Sequence, residues 1–195
     1  LCGNAAISNE VNIVEATAQF ATNPQSANVC SGEKATFTAE AVTTISPATI
    51  NYAWHFVDAN NVDAVMPSTA STMTVEANAQ TAGTYYCVAT VEPAGVVITS
   101  SNATLQVSNA PAIKTPVADV TVATGEAIKL AEAVTGTNPI TYKWFLNNEE
   151  LLDFTGKDTL TTTATAAGTY NYRFEASNAC GTVTDEITVT VTAGG

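Results

Sequence analysis

Apolar and polar residues alternate with a period of two along most of the chain, the pattern of strands that bury one face and wet the other. In the stretch from Ala35 to Val42, Phe37, Ala39 and Ala41 fall on one face while Thr36, Thr38 and Glu40 fall on the other. Near the C-terminus Ile187, Val189 and Val191 alternate in the same way with Thr188, Thr190 and Thr192. Helical periodicity is absent. Asp58-Ala59-Asn60-Asn61 and Asn147-Asn148-Glu149-Glu150 each follow a Trp-bearing run. Both predict hairpin tips, because Asn tolerates the left-handed backbone of tight turns.

The pattern is written twice, at a spacing of about 90 residues. Gly32-Glu33 returns as Gly125-Glu126, and Tyr52-Ala53-Trp54 as Tyr142-Lys143-Trp144. Ala82-Gly83-Thr84-Tyr85 returns as Ala167-Gly168-Thr169-Tyr170, and Ala94-Gly95 is matched by Cys180-Gly181. Ser108-Asn109-Ala110-Pro111 carries turn formers and a proline that cannot donate to a sheet ladder, so it marks the boundary. The division expected is a segment over 1–20, one domain over 21–109 and a second over 110–195. Cys2-Gly3 followed by Ile7, Val11 and Ile13 resembles the last strand of a copy. Residues 1–20 are therefore read either as an extended first strand or as a strand that completes a neighbouring subunit.

Composition narrows the function. The chain has 195 residues, of which 33 are Thr, 33 Ala and 20 Val, and only 12% are charged. β-Branched Thr on outer faces favours strand without adding charge. The net charge of -12 opposes a polyanionic partner, so no nucleic acid is expected. No apolar run approaches the roughly 18 residues of a membrane span, so no transmembrane segment is expected.

About seven short strands per copy, a central Trp and a later Gly-x-Tyr resemble tandem immunoglobulin-like domains. The resemblance covers residues 21–193. It implies an all-β fold of two tandem antiparallel β-sandwiches, with Trp54, Tyr85, Trp144, Tyr170 and Tyr172 as core markers. Trp54 and Trp144 look like the strand C tryptophan, and Tyr85 like the corner tyrosine before strand F. Tyr172 to Gly181 is similar to the strand F and turn of intermediate-type domains, with Phe174 where that family usually has cysteine. Ala39 and Glu132, or a neighbour of Glu132, fall at the strand B cysteine, so the usual inter-sheet disulfide is not expected in either copy. Val29-Cys30-Ser31-Gly32 and Asn178-Ala179-Cys180-Gly181 resemble repeats of secreted and surface proteins of the Bacteroidetes. That resemblance implies an adhesin, filament or spacer at the bacterial surface, with neighbouring repeats or identical subunits as partners.

Candidate chemistry is sparse. Cys30 and Cys87 are the two cysteines of the first copy and the candidates for an internal disulfide; the alternative is a buried free thiol at Cys87, with Cys2, Cys30 and Cys180 paired elsewhere or to one another. Asp58, Asn60 and Asp63 offer oxygens at near-alternate positions and are the weak calcium candidates, against a plain hairpin. His55, the one histidine, points to the outer face with no nucleophile beside it. Glu149 and Glu150 share a tip and read as solvated, not as a facing glycosidase pair. Asp158-Thr159-Leu160 resembles a short O-glycosylation signal. No catalytic residue, cofactor or enzyme activity is expected. A carbohydrate-binding module is the alternative reading, with a surface glycan or a protein as possible ligand.

Overall fold

The computed structural model describes residues 15–194, and the alternating stretches among them form strands. The first copy runs as β1 (Ala18–Thr22), β2 (Ala27–Cys30), β3 (Lys34–Thr38), β4 (Glu40–Thr43), β5 (Thr49–Val57), β6 (Asp63–Val65), β7 (Thr72–Glu76), β8 (Gly83–Glu92), β9 (Val96–Thr99) and β10 (Ala103–Ser108). One sheet has the order β2-β10-β8-β5-β6, with β9 also on β8; β1-β4, antiparallel, and β3-β7 are separate pairs. Phe37 of β3 stacks on Tyr85 of β8 at 4.8 Å and lies 6.4 Å from Trp54 of β5, which closes the two layers over one core. Ala39, wholly buried, separates β3 from β4, and its amide donates to the Ser71 carbonyl where the strand changes partner.

The second copy repeats the scheme as β11 (Ala112–Thr115), β12 (Val120–Ala123), β13 (Ala127–Ala131), β14 (Ala133–Thr135), β15 (Thr141–Leu146), β16 (Glu149–Glu150), β17 (Thr159–Thr163), β18 (Gly168–Asn178) and β19 (Gly181–Thr192), with one 3-10 turn at Leu152–Phe154. Its larger sheet is β12-β19-β18-β15-β16, facing the pairs β11-β14 and β13-β17. β12 runs parallel to β19. Ile128, Leu130 and Leu160 pack with Trp144, Tyr172, Phe174, Ile187, Val189 and Val191 in one buried cluster. Asn147 and Asn148 take φ of 49° and 71° in the β15–β16 tip, and Asn61 takes 60° in the β5–β6 tip, as the hairpin assignments required.

Two compact units result. The first holds described residues up to Ala27, with Lys34–Val75 and Gln80–Leu105; the second holds Asn28–Glu33, Glu76–Ala79 and the chain from Gln106 onward. The expected strand at the start of the chain lies outside the described residues over 1–14. Among the described residues no helix is long and apolar enough to cross a membrane.

Candidate functional site

Four landmarks of the repeat are anchored by hydrogen bonds. Trp54 Nε1 donates to the Ala70 carbonyl at 2.9 Å and Trp144 Nε1 to the Lys157 carbonyl at 3.0 Å. Tyr85 Oη donates to the Thr81 carbonyl and Tyr170 Oη to the Ala166 carbonyl, four residues back in each case. Trp54, Tyr85, Trp144 and Tyr172 are buried, whereas Tyr170 is half-buried at the rim of its core. Burial pushes the Tyr85 hydroxyl up to about 12 and also raises that of Tyr172. These aromatics hold cores together and offer no flat platform to a ligand.

The cysteines correct one expectation. Cys30 is bonded to Cys180, with Cα atoms 5.5 Å apart and a sequence separation of 150, and not to Cys87. Cys30 ends β2 in a turn where its carbonyl accepts from the Glu33 amide and its amide donates to Glu33 Oε2. Cys87 instead faces the core of the first unit in register with Trp54, free and fully buried. A turn residue and a residue at the centre of the core do not meet. Cys180 lies in the turn between β18 and β19, where its amide donates to Asn178 Oδ1 at 2.8 Å. Asn178 Nδ2 donates to the carbonyls of Asn109 and Thr137, which fastens this turn to the connector. Both bonded cysteines belong to the second unit.

Of the calcium candidates, Asp58 and Asp63 serve different structures. Asp58 Oδ1 accepts from the amides of Asn60 and Val62 and clamps the tip, and the Val62 amide chiefly holds its carboxyl below the usual value. Asn60 Nδ2 donates to the same carboxylate. Asp63 Oδ1 is 3.0 Å from His55 Nδ1, while Tyr86 Oη donates to Asp63 Oδ2. His55 and Tyr86 stack at 4.6 Å. Tyr86, then His55, lowers the Asp63 carboxyl, and Asp63 in turn raises the Tyr86 hydroxyl. The Tyr86 proton is thus directed at a carboxylate, so the cluster stabilises the outer face and prepares no nucleophile. Among the described residues no group of three His, Cys, Asp or Glu side chains is placed to hold a metal ion.

In the second unit Glu150 is half-buried and bonded to Lys143 at 3.1 Å, so of the pair read as solvated only Glu149 is exposed. Asn147, Asn148, Asn171, Arg173, Glu186 and Thr188 line an open groove of about 340 Å³. Arg173 lies over the Phe145 ring at 3.7 Å and bonds Glu175 at 2.9 Å, which fixes one wall. Sequence reasoning missed this groove, whose polar residues are scattered over a hairpin tip and two strands, β18 and β19.

Residues 111–191 match the immunoglobulin I-set domain. No curated protein sequence matches the chain. Among solved structures, a three-domain titin fragment, I67-I69 in an E-to-A variant, superposes with a TM-score of 0.67 at 20% identity, over 92% of this chain and 67% of that one. Sidekick-1 immunoglobulin domains 1-4 give 0.68 at 17%, over 94% and 51%. The Dpr11 IG1 complex with DIP-gamma IG+IG2 gives 0.59 at 14%, over 90% and 98%. The chain therefore spans about two thirds of the titin fragment and half of the sidekick-1 fragment. At these identities the likeness is one of fold: an all-β chain of immunoglobulin-like sandwiches, with the I-set match confined to the second copy.

Proposed function

We propose that the chain is a structural and adhesive repeat unit of a bacterial secreted or cell-surface protein, in which immunoglobulin-like copies space or present other modules and no substrate is converted. The supporting observation is that, among the described residues, both copies spend their ionisable and aromatic side chains on cores, turns and sheet faces, with no nucleophile placed beside a base and an orienting group. A disulfide suits an oxidising, extracytoplasmic setting. The bacterial context rests on the residues around Cys30 and Cys180. Its partners on this reading are further immunoglobulin-like domains, neighbouring or identical, over a domain division at residues 21–109 and 110–195.

One observation favours a second reading, a carbohydrate-binding module: the groove carries three Asn amides, a guanidinium and a carboxylate, groups that match sugar hydroxyls. A glycan array and a hydrolase screen on the whole chain separate the two. The structural reading expects no turnover and no saturable glycan binding. Saturable binding to one glycan class, abolished by Arg173→Ala, would transfer the assignment to the groove.

A further inference from the structure

Glu132 occupies in the second unit the place that Ala39 holds in the first. Each lies between the two halves of a split strand, and the Glu132 amide donates to the Asp158 carbonyl as that of Ala39 does to Ser71. Ala39 is apolar, but Glu132, a residue only 4% exposed, carries a buried carboxyl with neither oxygen partnered by a hydrogen-bond donor. An unpaired buried carboxylate is among the costliest groups a core can contain.

The groups packed around it offer no cation. From β19 comes Asp185, which sits in register with the buried Phe174 of β18 and within hydrogen-bonding reach of Glu132. The Val117 amide donates to Asp185 Oδ2 at 3.2 Å. Ahead of β17, Asp158 presents its carbonyl, and its own carboxylate accepts from Thr159 Oγ1. Lys114 and Lys129, on β11 and β13, are exposed. The described ion pairs involving Lys or Arg are Lys143–Glu150 and Arg173–Glu175, and neither reaches Glu132. Two carboxylates can only accept, so nothing joins Glu132 to Asp185 until one of them carries a proton.

We propose that Glu132 keeps a proton in the folded second unit well above the ordinary carboxyl range and donates it to Asp185, a proton clasp between strands that weakens as the medium passes through neutrality toward alkaline pH. Burial first, and Asp185 second, push the Glu132 carboxyl up from 4.5 to about 7. A folded value above the unfolded one means that the native state binds more protons between the two. The clasp is then complete below about pH 4.5 and is lost as pH rises through about 7. The one histidine of the chain, His55, belongs to the first unit. In the first unit Ser100, buried beside Cys87, accepts from the Cys87 amide and donates to the Ser101 carbonyl, so its core has no such dependence.

Urea unfolding between pH 5 and 8, followed through Trp144 fluorescence in a Trp54→Phe chain, tests this. The unfolding constant of the second unit is expected to rise roughly a hundredfold across that range, and by less than about threefold in Glu132→Gln, which keeps the shape and removes the titration. Carboxyl-carbon NMR of Glu132 in the unsubstituted chain gives a second readout should either variant fail to fold, with a midpoint expected near 7. A midpoint at the ordinary value, or an equal pH slope in Glu132→Gln, overturns the proposal. So does recovery of the pH 5 stability at pH 8 on adding calcium, which would make the pair a cation site.

Discussion

Cys87 faces Trp54 across β5 and β8 in the register that Phe174 and Trp144 repeat across β15 and β18. A thiol and a phenyl ring thus fill the same place in two cores, and the thiol behaves there as a small apolar group. Burial pushes Cys87 up to about 11, so very little thiolate exists at pH 8. In a Cys2→Ser chain, alkylation at pH 8 should be slow, and limited by opening of the first unit. It should complete at once in denaturant. Labelling of the folded chain at the rate of a free thiol would remove Cys87 from the core.

Loss of the Cys30–Cys180 bond should lower stability by up to about 5 kcal/mol, the chain-entropy figure for so long a loop. Cys30→Ser, Cys180→Ser and the reduced unsubstituted chain should unfold at one common denaturant concentration. Reductant should shift neither variant further. Peptide mapping that finds Cys30 joined to Cys87 would sink the assignment.

Gly83 admits no side chain. A Cβ there would stand 2.6 Å from Phe56 Cε2 and 2.6 Å from the Val57 carbonyl oxygen, and the latter is backbone that cannot swing aside. Gly83→Ala should cost about 1–3 kcal/mol by overpacking. Thermal or urea unfolding of the variant checks it, and an unchanged midpoint contradicts the approach of β5 to β8 at this point.

Asp63 gives the first unit an acid-side dependence. Its carboxyl is held below 3.8 by the Tyr86 hydroxyl first and His55 second, so its contribution is present above that ordinary value and disappears as pH falls through the lowered one. Asp63→Asn should therefore unfold earlier than the parent at pH 7, and the gap should close toward pH 2. Tyr86→Phe should reproduce much of that gap. Curves for parent and variant that stay parallel throughout would show that Asp63 has no special partner.

The strands, the duplication and the hairpin tips were legible because each depends on neighbours in sequence: alternation at Phe37, Ala39 and Ala41, Asn at 61, 147 and 148, tryptophans at fixed distance from Gly-x-Tyr. The disulfide was not, since its choice of Cys180 over Cys87 depends on which turns meet after folding. Glu132 was noticed at the strand B position, but its neighbour Asp185 sits 53 residues further along and reads as an ordinary member of a Thr-rich strand. Asp63 looked like a metal ligand because near-alternate spacing shows oxygens without showing that Tyr86 and His55 occupy them.

The bond between Cys30 and Cys180 also sets how the chain would carry tension. A pull applied at its two ends enters at Cys30, crosses the sulfurs and leaves at Cys180, bypassing everything between them. While the bond is intact, only the residues outside that loop can be drawn out under load; reduction would release the 150-residue span as slack. Extensibility would then be set by the redox state of the surroundings.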